Sequence, residues 1–425
     1  MQTSLYHLPQ EVLHQIVLSL SAFEVATFER ICRKFKSLCG PVVWRHLCIR
    51  YFKYWNRSHA FPQRVSKPAD ETDWKSLFSK RFRTNQEIDH TLNDILNFQS
   101  NRTDKVKSIV EHQLDAKDVL LQNTSSDLGK HDILARRYHS NAILGCLHRY
   151  ISVQQWSEMG MTPQNGSRLE GALVAFDGFA DQEDYVDIAE VSQILDDIAD
   201  NFQKNFSEFH DLTLREKAVS LARYVRMQNL VGLSNGEDVH YHDLQNNFIG
   251  HALREERHTS LPLISVAIYC SIARRLGLDT GPCCFPFHVI AVVRSEEQES
   301  FYFDPFQSAE EIPISSLITQ LESMGASQHD FEKLLGIAPT THVVGRCARN
   351  IITSIQTLPR VLGGDLRPST ESAFYAALWA LLIIPSVTDE DGLSLGQTAY
   401  LPVIIDHLQT HFPTGTPSLF SGLQS

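Results

Sequence analysis

Residues 259–306 carry an apolar pattern that changes period part-way. Leu261, Leu263, Ile264, Val266, Ala267, Ile268, Ile272, Ala273 and Leu276 are apolar on nearly every face of a helix. A helix of that kind is expected to be buried all round. Pro262 falls in its first turn, where a missing N–H costs little. Arg274 and Arg275 fall in its last turn, where they suit the helix dipole, and Gly277 supplies the exit. Residues 289–293 are then apolar on both faces, as in an inner strand. Residues 301–303 read as a second, aromatic strand. If the chain turns over about Glu296, the strands pair antiparallel and His288 lies opposite Asp304.

The rest of the chain is patterned mainly as helix. Val12, Leu13, Ile16, Val17 and Leu20 share one helical face, and Val25, Phe28, Ile31, Cys32 and Phe35 follow on a second helix. A third helix begins after Gly40-Pro41 and carries Val43, Trp44 and Leu47. Three short helices make a small core that leaves apolar residues for a partner. Residues 56–73 are polar with two prolines and read as a linker. Residues 74–155 return to helical spacing, with Arg136-Arg137 expected on a solvated face. Helices are expected at 169–173, 186–202 and 221–230. Residues 231–248 read as a loop, in which Asn246 and Asn247 are expected to hold the backbone. From residue 341 the pattern gives helices at 343–358, 369–385 and 398–412.

Two stretches resemble known families. Leu8-Pro9 with Glu11, Leu20-Ser21, Cys32-Arg33 with Phe35, and Trp44 with Leu47 together resemble the F-box. By that resemblance Leu8, Pro9, Val12, Leu13, Ile16 and Val25 are expected to face the Skp-type adaptor, and through it the cullin, of a ubiquitin ligase. The order Pro262-Leu263-Ile264-Ser265, Tyr269, Ala273-Arg274-Arg275-Leu276-Gly277-Leu278, then Phe285-Pro286 with His288, then Asp304-Pro305-Phe306, resembles the SirB-type transglutaminase-like family and its F-box-bearing relatives. That superfamily places a Cys at the start of a buried helix, a His as its base and an Asp to orient the His. Here the positions matching His and Asp are His288 and Asp304. The nucleophile position falls near Pro262, which has nothing to attack with. Ser260 is the nearest hydroxyl and is expected to be a helix cap. Cys270 is expected to lie too deep.

Composition narrows the choice. The chain has 425 residues, 43% hydrophobic and 21% charged, as in an ordinary soluble protein of two to three domains. Its net charge of −12 gives no basic footprint for nucleic acid or an anionic membrane. The N-terminus lacks a signal-peptide pattern, and the longest apolar stretch is too short to cross a bilayer. Eight cysteines without CxxC spacing fit a reduced compartment, the cytoplasm or nucleus. His240, His242, His251, His258 and His288 crowd one region, yet no thiol or carboxylate set at zinc spacing joins them, so neither metal nor cofactor is expected. Cys283 and Cys284 read as buried fillers.

The expected fold is α+β and mostly α. A three-helix F-box spans 1–55 and a linker with helical connector 56–159. A transglutaminase-like core with a small antiparallel sheet spans 160–340, and a helical, tetratricopeptide-like tail 341–425. The expected function is a non-catalytic client receptor in an SCF-type ligase. The alternatives are an enzyme with a displaced nucleophile, or a scaffold whose F-box acts outside ubiquitination.

Overall fold

The computed structural model describes residues 8–125, 132–161, 169–180, 187–206, 208–233, 241–256, 258–283, 285–295, 299–357 and 368–384. It divides into two units, residues 1–150 and 151–425. The expected helix at 398–412 and the turn at Glu296 lie outside the described residues.

The first unit opens with α1 (Gln10–Ser19), α2 (Ala22–Phe28), α3 (Arg33–Leu38) and α4 (Pro41–Tyr51). Ser21 and Glu24 form a capping box at the start of α2, and Pro41 sits where α4 has no need of an N–H. Val17, Val25, Val43, Trp44, Leu47 and Phe52 meet in one core, which Trp55, Trp74 and Phe78 complete. The core of the first helices therefore does not close at residue 55. Residues 56–73 are not a plain linker either. They hold two 3-10 turns (Arg57–His59 and Ala69–Glu71) and α5 (Phe61–Val65). The Phe61 ring stacks on Trp55 with centroids 4.2 Å apart, and that aromatic burial outweighs the breaking effect of the prolines.

A connector of α6 (Trp74–Asn97), α7 (Arg102–Glu111), α8 (Leu114–Ser125) and α9 (Ile133–Met161) follows, and the division between units falls within α9. Arg81 of α6 is buried and pairs with two carboxylates of α8, Asp115 at 3.2 Å and Asp118 at 3.0 Å. Asp118 also accepts the N–H groups of Lys53 and Tyr54, each at 3.3 Å. Asp115 accepts the Asn56 N–H at 2.9 Å and lies 2.8 Å from His59 Nε2. These carboxylates thus cap the chain where it leaves α4. Burial pulls the Arg81 guanidinium down and pushes the Asp118 carboxyl up, and each partner opposes that drift. Arg136 is likewise buried, not solvated as expected, because Asn123 (3.3 Å), Asp89 (3.5 Å) and Asn93 take up its hydrogens.

The second unit contains α10 (Leu169–Ala180), α11 (Ile188–Asn205), α12 (Leu214–Met227), α13 (Ile249–Arg254) and α14 (Pro262–Arg275). Four strands follow, β1 (Thr280–Cys283), β2 (Ile290–Val293), β3 (Phe301–Phe303) and β4 (Glu311–Ile312), paired antiparallel in sequence order. Helices α15 (Ile314–Ser323), α16 (Gln328–Leu335), α17 (Thr340–Thr357) and α18 (Pro368–Ile383) complete the described chain. Ala291, Val293, Phe301 and Phe303 join the main core with α14, while Ile290, Val292 and Tyr302 pack on Leu317, Leu321 and Leu335. The sheet is covered on both faces, which is why its strands carry no polar alternation. Helices α17 and α18, expected in a tail, contribute to the same core as α10 and α14; residues 385–425 lie outside the described residues. Ala373, Ala376, Ala377 and Ala380 are buried on α18, and their small side chains let it approach α10 and α17 closely. Trp379 is only partly buried.

Two stability changes are expected from this packing. Arg81→Met leaves Asp115 and Asp118 buried without their cation and should cost about 3–5 kcal/mol in denaturant unfolding of the first unit. Replacing both carboxylates as well should recover part of the loss. Ala377→Asp buries an unpaired charge against α10 and should cost more than about 4 kcal/mol, read as a lower melting temperature of the second unit.

Candidate functional site

The sheet places His288 just before β2 and Asp304 just after β3. Ala291 pairs with Phe303 and Val293 with Phe301, so the continued register puts Ile290 across from Asp304. His288 and Asp304 are therefore diagonal neighbours rather than directly opposite. Long side chains span such a diagonal. The His288 Nε2 lies 2.7 Å from Asp304 Oδ2. Asp304 is buried, and its Oδ1 accepts the N–H groups of Phe306 at 3.1 Å and Gln307 at 3.3 Å. A carboxylate so used can only accept, so the imidazole proton sits on Nε2. Nδ1 then carries a lone pair and has no partner among the described residues.

The turn before β2 fixes the ring. His288 donates its N–H to the Phe285 carbonyl at 3.1 Å. Arg346 of α17 donates to the carbonyls of both Phe285, at 2.9 Å, and His288, at 3.2 Å. Tyr241 stands nearby. Burial raises its phenol pKa, the Arg346 cation opposes that, and the Asp304 carboxylate adds to it.

Pro262 is the first residue of α14, and Leu261 is its N-cap, with no side-chain bond. Ser260 is not the cap expected of it. Its backbone N–H goes to the Gly232 carbonyl at 3.0 Å, and the Leu261 N–H goes to the Asn246 carbonyl at 3.0 Å. The Ser260 hydroxyl is buried against the Ser265 hydroxyl at 2.7 Å, and Ser265 Oγ accepts the Gly232 N–H at 3.1 Å. Gly232 has φ +94°, and a Cβ there would meet Arg226 Nη1 at 2.8 Å and the Phe306 carbonyl at 3.2 Å. Only glycine allows that approach. Asn247 donates to Leu244 O at 3.2 Å and Ser354 Oγ at 3.0 Å, the holding role expected of it.

A second surface lies on α1 and α2. Pro9 is exposed, Val12 is 44% exposed, and Leu8 and Ile16 are half-buried. Leu13 and Val25 were expected beside them but are fully buried. Leu13 packs with Phe35 and Leu38, and Val25 joins the core of Val17 and Trp44. Two residues not assigned to this surface are more accessible: Phe23 at 83% and Ile31 at 63%, the latter in the turn that divides the expected second helix into α2 and α3. Phe23 lies two positions before Val25 on α2, about 200° away around the helix, so burial of one turns the other outward.

Comparison with protein families matches residues 5–50 to the F-box-like family and residues 189–349 to the Transglutaminase-like superfamily. The chain joins an F-box-like domain to a transglutaminase-like domain. Comparison with curated proteins and with solved structures gives no match. The F-box-like match ends within α4, before Trp55 and Trp74 complete its core, and the transglutaminase-like match ends within α17.

Within the transglutaminase-like domain the described thiols are withdrawn from solvent. Cys270 lies 3.6 Å from Thr280 Oγ1, and burial pushes its thiol up to about 11. Cys347 points at the Asn247 carbonyl, 3.7 Å away, and burial pushes it higher still. Cys283 donates to the Leu334 carbonyl at 3.0 Å. Cys284 and His240 lie outside the described residues. His242 is exposed, and His258 is turned to the Ala252 carbonyl at 2.8 Å. Among the described residues no three His, Cys, Asp or Glu side chains cluster to hold a metal, and no helix is long and apolar enough to cross a membrane. Iodoacetamide should label the exposed Cys146, whose thiol is pushed up by burial and drawn down by the Arg149 cation, ahead of Cys270 and Cys347, which stay unmodified until denaturant is added. Peptide mass mapping reads this out, and fast native labelling of Cys270 would contradict its placement.

Proposed function

We propose that this protein is the client-recognition subunit of an SCF-type cullin–RING ubiquitin ligase. The F-box-like domain binds a Skp-type adaptor and, through it, the cullin. The transglutaminase-like domain holds a client protein and performs no chemistry. The protein works in the cytoplasm or nucleus. The observation that carries this reading is the apolar surface of the F-box-like domain. Pro9, Val12, Phe23 and Ile31 are exposed although their neighbours Leu13 and Val25 fill the core. An apolar surface beside a complete core calls for a partner. Leu8, Pro9, Val12 and Ile16 remain reachable by the adaptor, whereas Leu13 and Val25 act through the fold.

A second reading is favoured by the His288–Asp304 pair, which has the form of a base and its orienting acid. It makes the protein an enzyme with a displaced nucleophile. Against it stand Pro262 at the helix start, the buried pairing of Ser260 and the raised Cys270 thiol.

The test is capture of a purified Skp-type adaptor by the full chain. Pro9→Ala with Val12→Asp should weaken capture at least about thirtyfold, as loss of interface hot spots does, without lowering the melting temperature. Leu13→Ala should instead cost about 2–5 kcal/mol of stability. Absence of capture by the wild-type chain refutes the receptor reading. Incubation with an amine donor and a glutaminyl peptide should give no product. Turnover abolished both by His288→Ala and by one Cys or Ser substitution would establish the second reading instead.

A further inference from the structure

The two units differ in the kind of cation they carry. Residues 1–150 hold ten lysines and twelve arginines, and residues 151–425 hold three lysines and thirteen arginines. Charge balance does not account for the difference. The second unit has thirty-five Asp and Glu residues against fifteen in the first, so its call for cations is the greater. Geometry accounts for it only in part. Arg275 grips Glu170 through a two-bond fork that a lysine does not make. Arg223, by contrast, meets Glu310 at 3.4 Å with its side chain 59% exposed, where either cation serves. Of the three lysines, Lys217 is half-buried, with its ammonium 5.5 Å from the centre of the Phe209 ring. Lys204 and Lys333 are exposed.

One reaction separates the two side chains. A lysine amine that has lost its proton attacks the thioester linking ubiquitin to the cysteine of its carrier enzyme. The C–N isopeptide bond forms, the C–S bond breaks, and the carrier cysteine leaves as a thiol once it takes up the proton. A guanidinium stays protonated and does not attack. We propose that the second unit escapes ubiquitin transfer by its composition, so that the ligase modifies the client and spares the receptor that holds it. The proposal deepens the client-receptor reading and rests on it. A client lysine reaches the thioester only where its holder brings it, so an amine on the holder is presented at a comparable effective concentration. A holder whose cations are arginines keeps its ion pairs and offers that thioester few competitors. The first unit binds the adaptor and holds no client, and there lysine is nearly as frequent as arginine.

The full chain is mixed with purified Skp-type adaptor and with a cullin–RING pair first shown to discharge carrier-bound ubiquitin onto free lysine. Ubiquitin, its activating and carrier enzymes and ATP are added, and ubiquitin remnants on the chain are mapped by peptide mass spectrometry. Wild type is compared with the double variant Arg223→Lys, Arg294→Lys. Both residues are exposed, so the exchange of cations should leave the melting temperature in place. The variant should carry several-fold more ubiquitin on its second unit than wild type, at the two new lysines. Equal modification of the second unit in both chains, whether absent or heavy, overturns the proposal. Adaptor capture is measured on the same samples. Capture retained with equal modification rejects the shielding alone, whereas absence of wild-type capture rejects the receptor reading itself.

Discussion

A helix with no solvent-facing side has to be enclosed by the rest of its domain, and α14 is such a helix. Every residue from Leu263 to Ala273 is buried. The enclosure must also satisfy the polar groups it takes in, since an unpaired one costs about 1–3 kcal/mol. Ser265, Tyr269 and Cys270 are met, and each bond fixes an approach. Ser265 binds Gly232 and Ser260 at the start, Tyr269 gives its hydroxyl to the Ala218 carbonyl at 3.1 Å, and Cys270 meets Thr280. At the exit Arg274 holds the Thr280 carbonyl at 2.8 Å, and Arg275 grips Glu170 through two bonds. The sheet is laid on α14 by these constraints, and the position of His288 follows from the sheet.

The same logic applies to the His288–Asp304 pair, which serves the backbone as well as itself. Asp304 divides its oxygens between the imidazole and the turn that follows β3. Loss of that carboxylate would loosen the end of the strand as well as the ring. Arg226 adds to the turn by donating to the Phe306 carbonyl at 2.5 Å. A network that holds backbone in place keeps its residues whether or not anything is catalysed there.

Much of this was legible in the chain. The unbroken apolar run of α14 and the two-faced apolar strands announce burial by composition alone, and the two stretches whose residues carry the resemblance are the ones the family models match. What the sequence hid are matters of a residue or two in three dimensions. A small shift of strand register separates opposite from diagonal for His288 and Asp304. Leu13 and Val25 look like surface partners of Val12 and Ile16 until α3 packs on Leu13 and α1 and α4 pack on Val25. Arg136 reads as a solvated charge because its partners, Asn93 and Asn123, lie far away in sequence. The prolines of residues 56–73 signal a break, but Phe61 and Trp55 form a stack no local rule reports. The alanines of α18 carry little hydrophobicity each, so their role as a close-contact face emerges only beside α10.

The pairing of α10 with α18 has a consequence for how the protein is made. Close to two hundred residues separate the end of α10 at Ala180 from the start of α18 at Pro368. On a ribosome adding about 5–20 residues per second, α10 waits on the order of ten to forty seconds for the helix that covers it. The first unit is finished long before, with its own core and its own ion pairs. For that interval the nascent chain is a folded head followed by an apolar helix without its partner, and the cell must keep that helix from other chains until synthesis reaches α18.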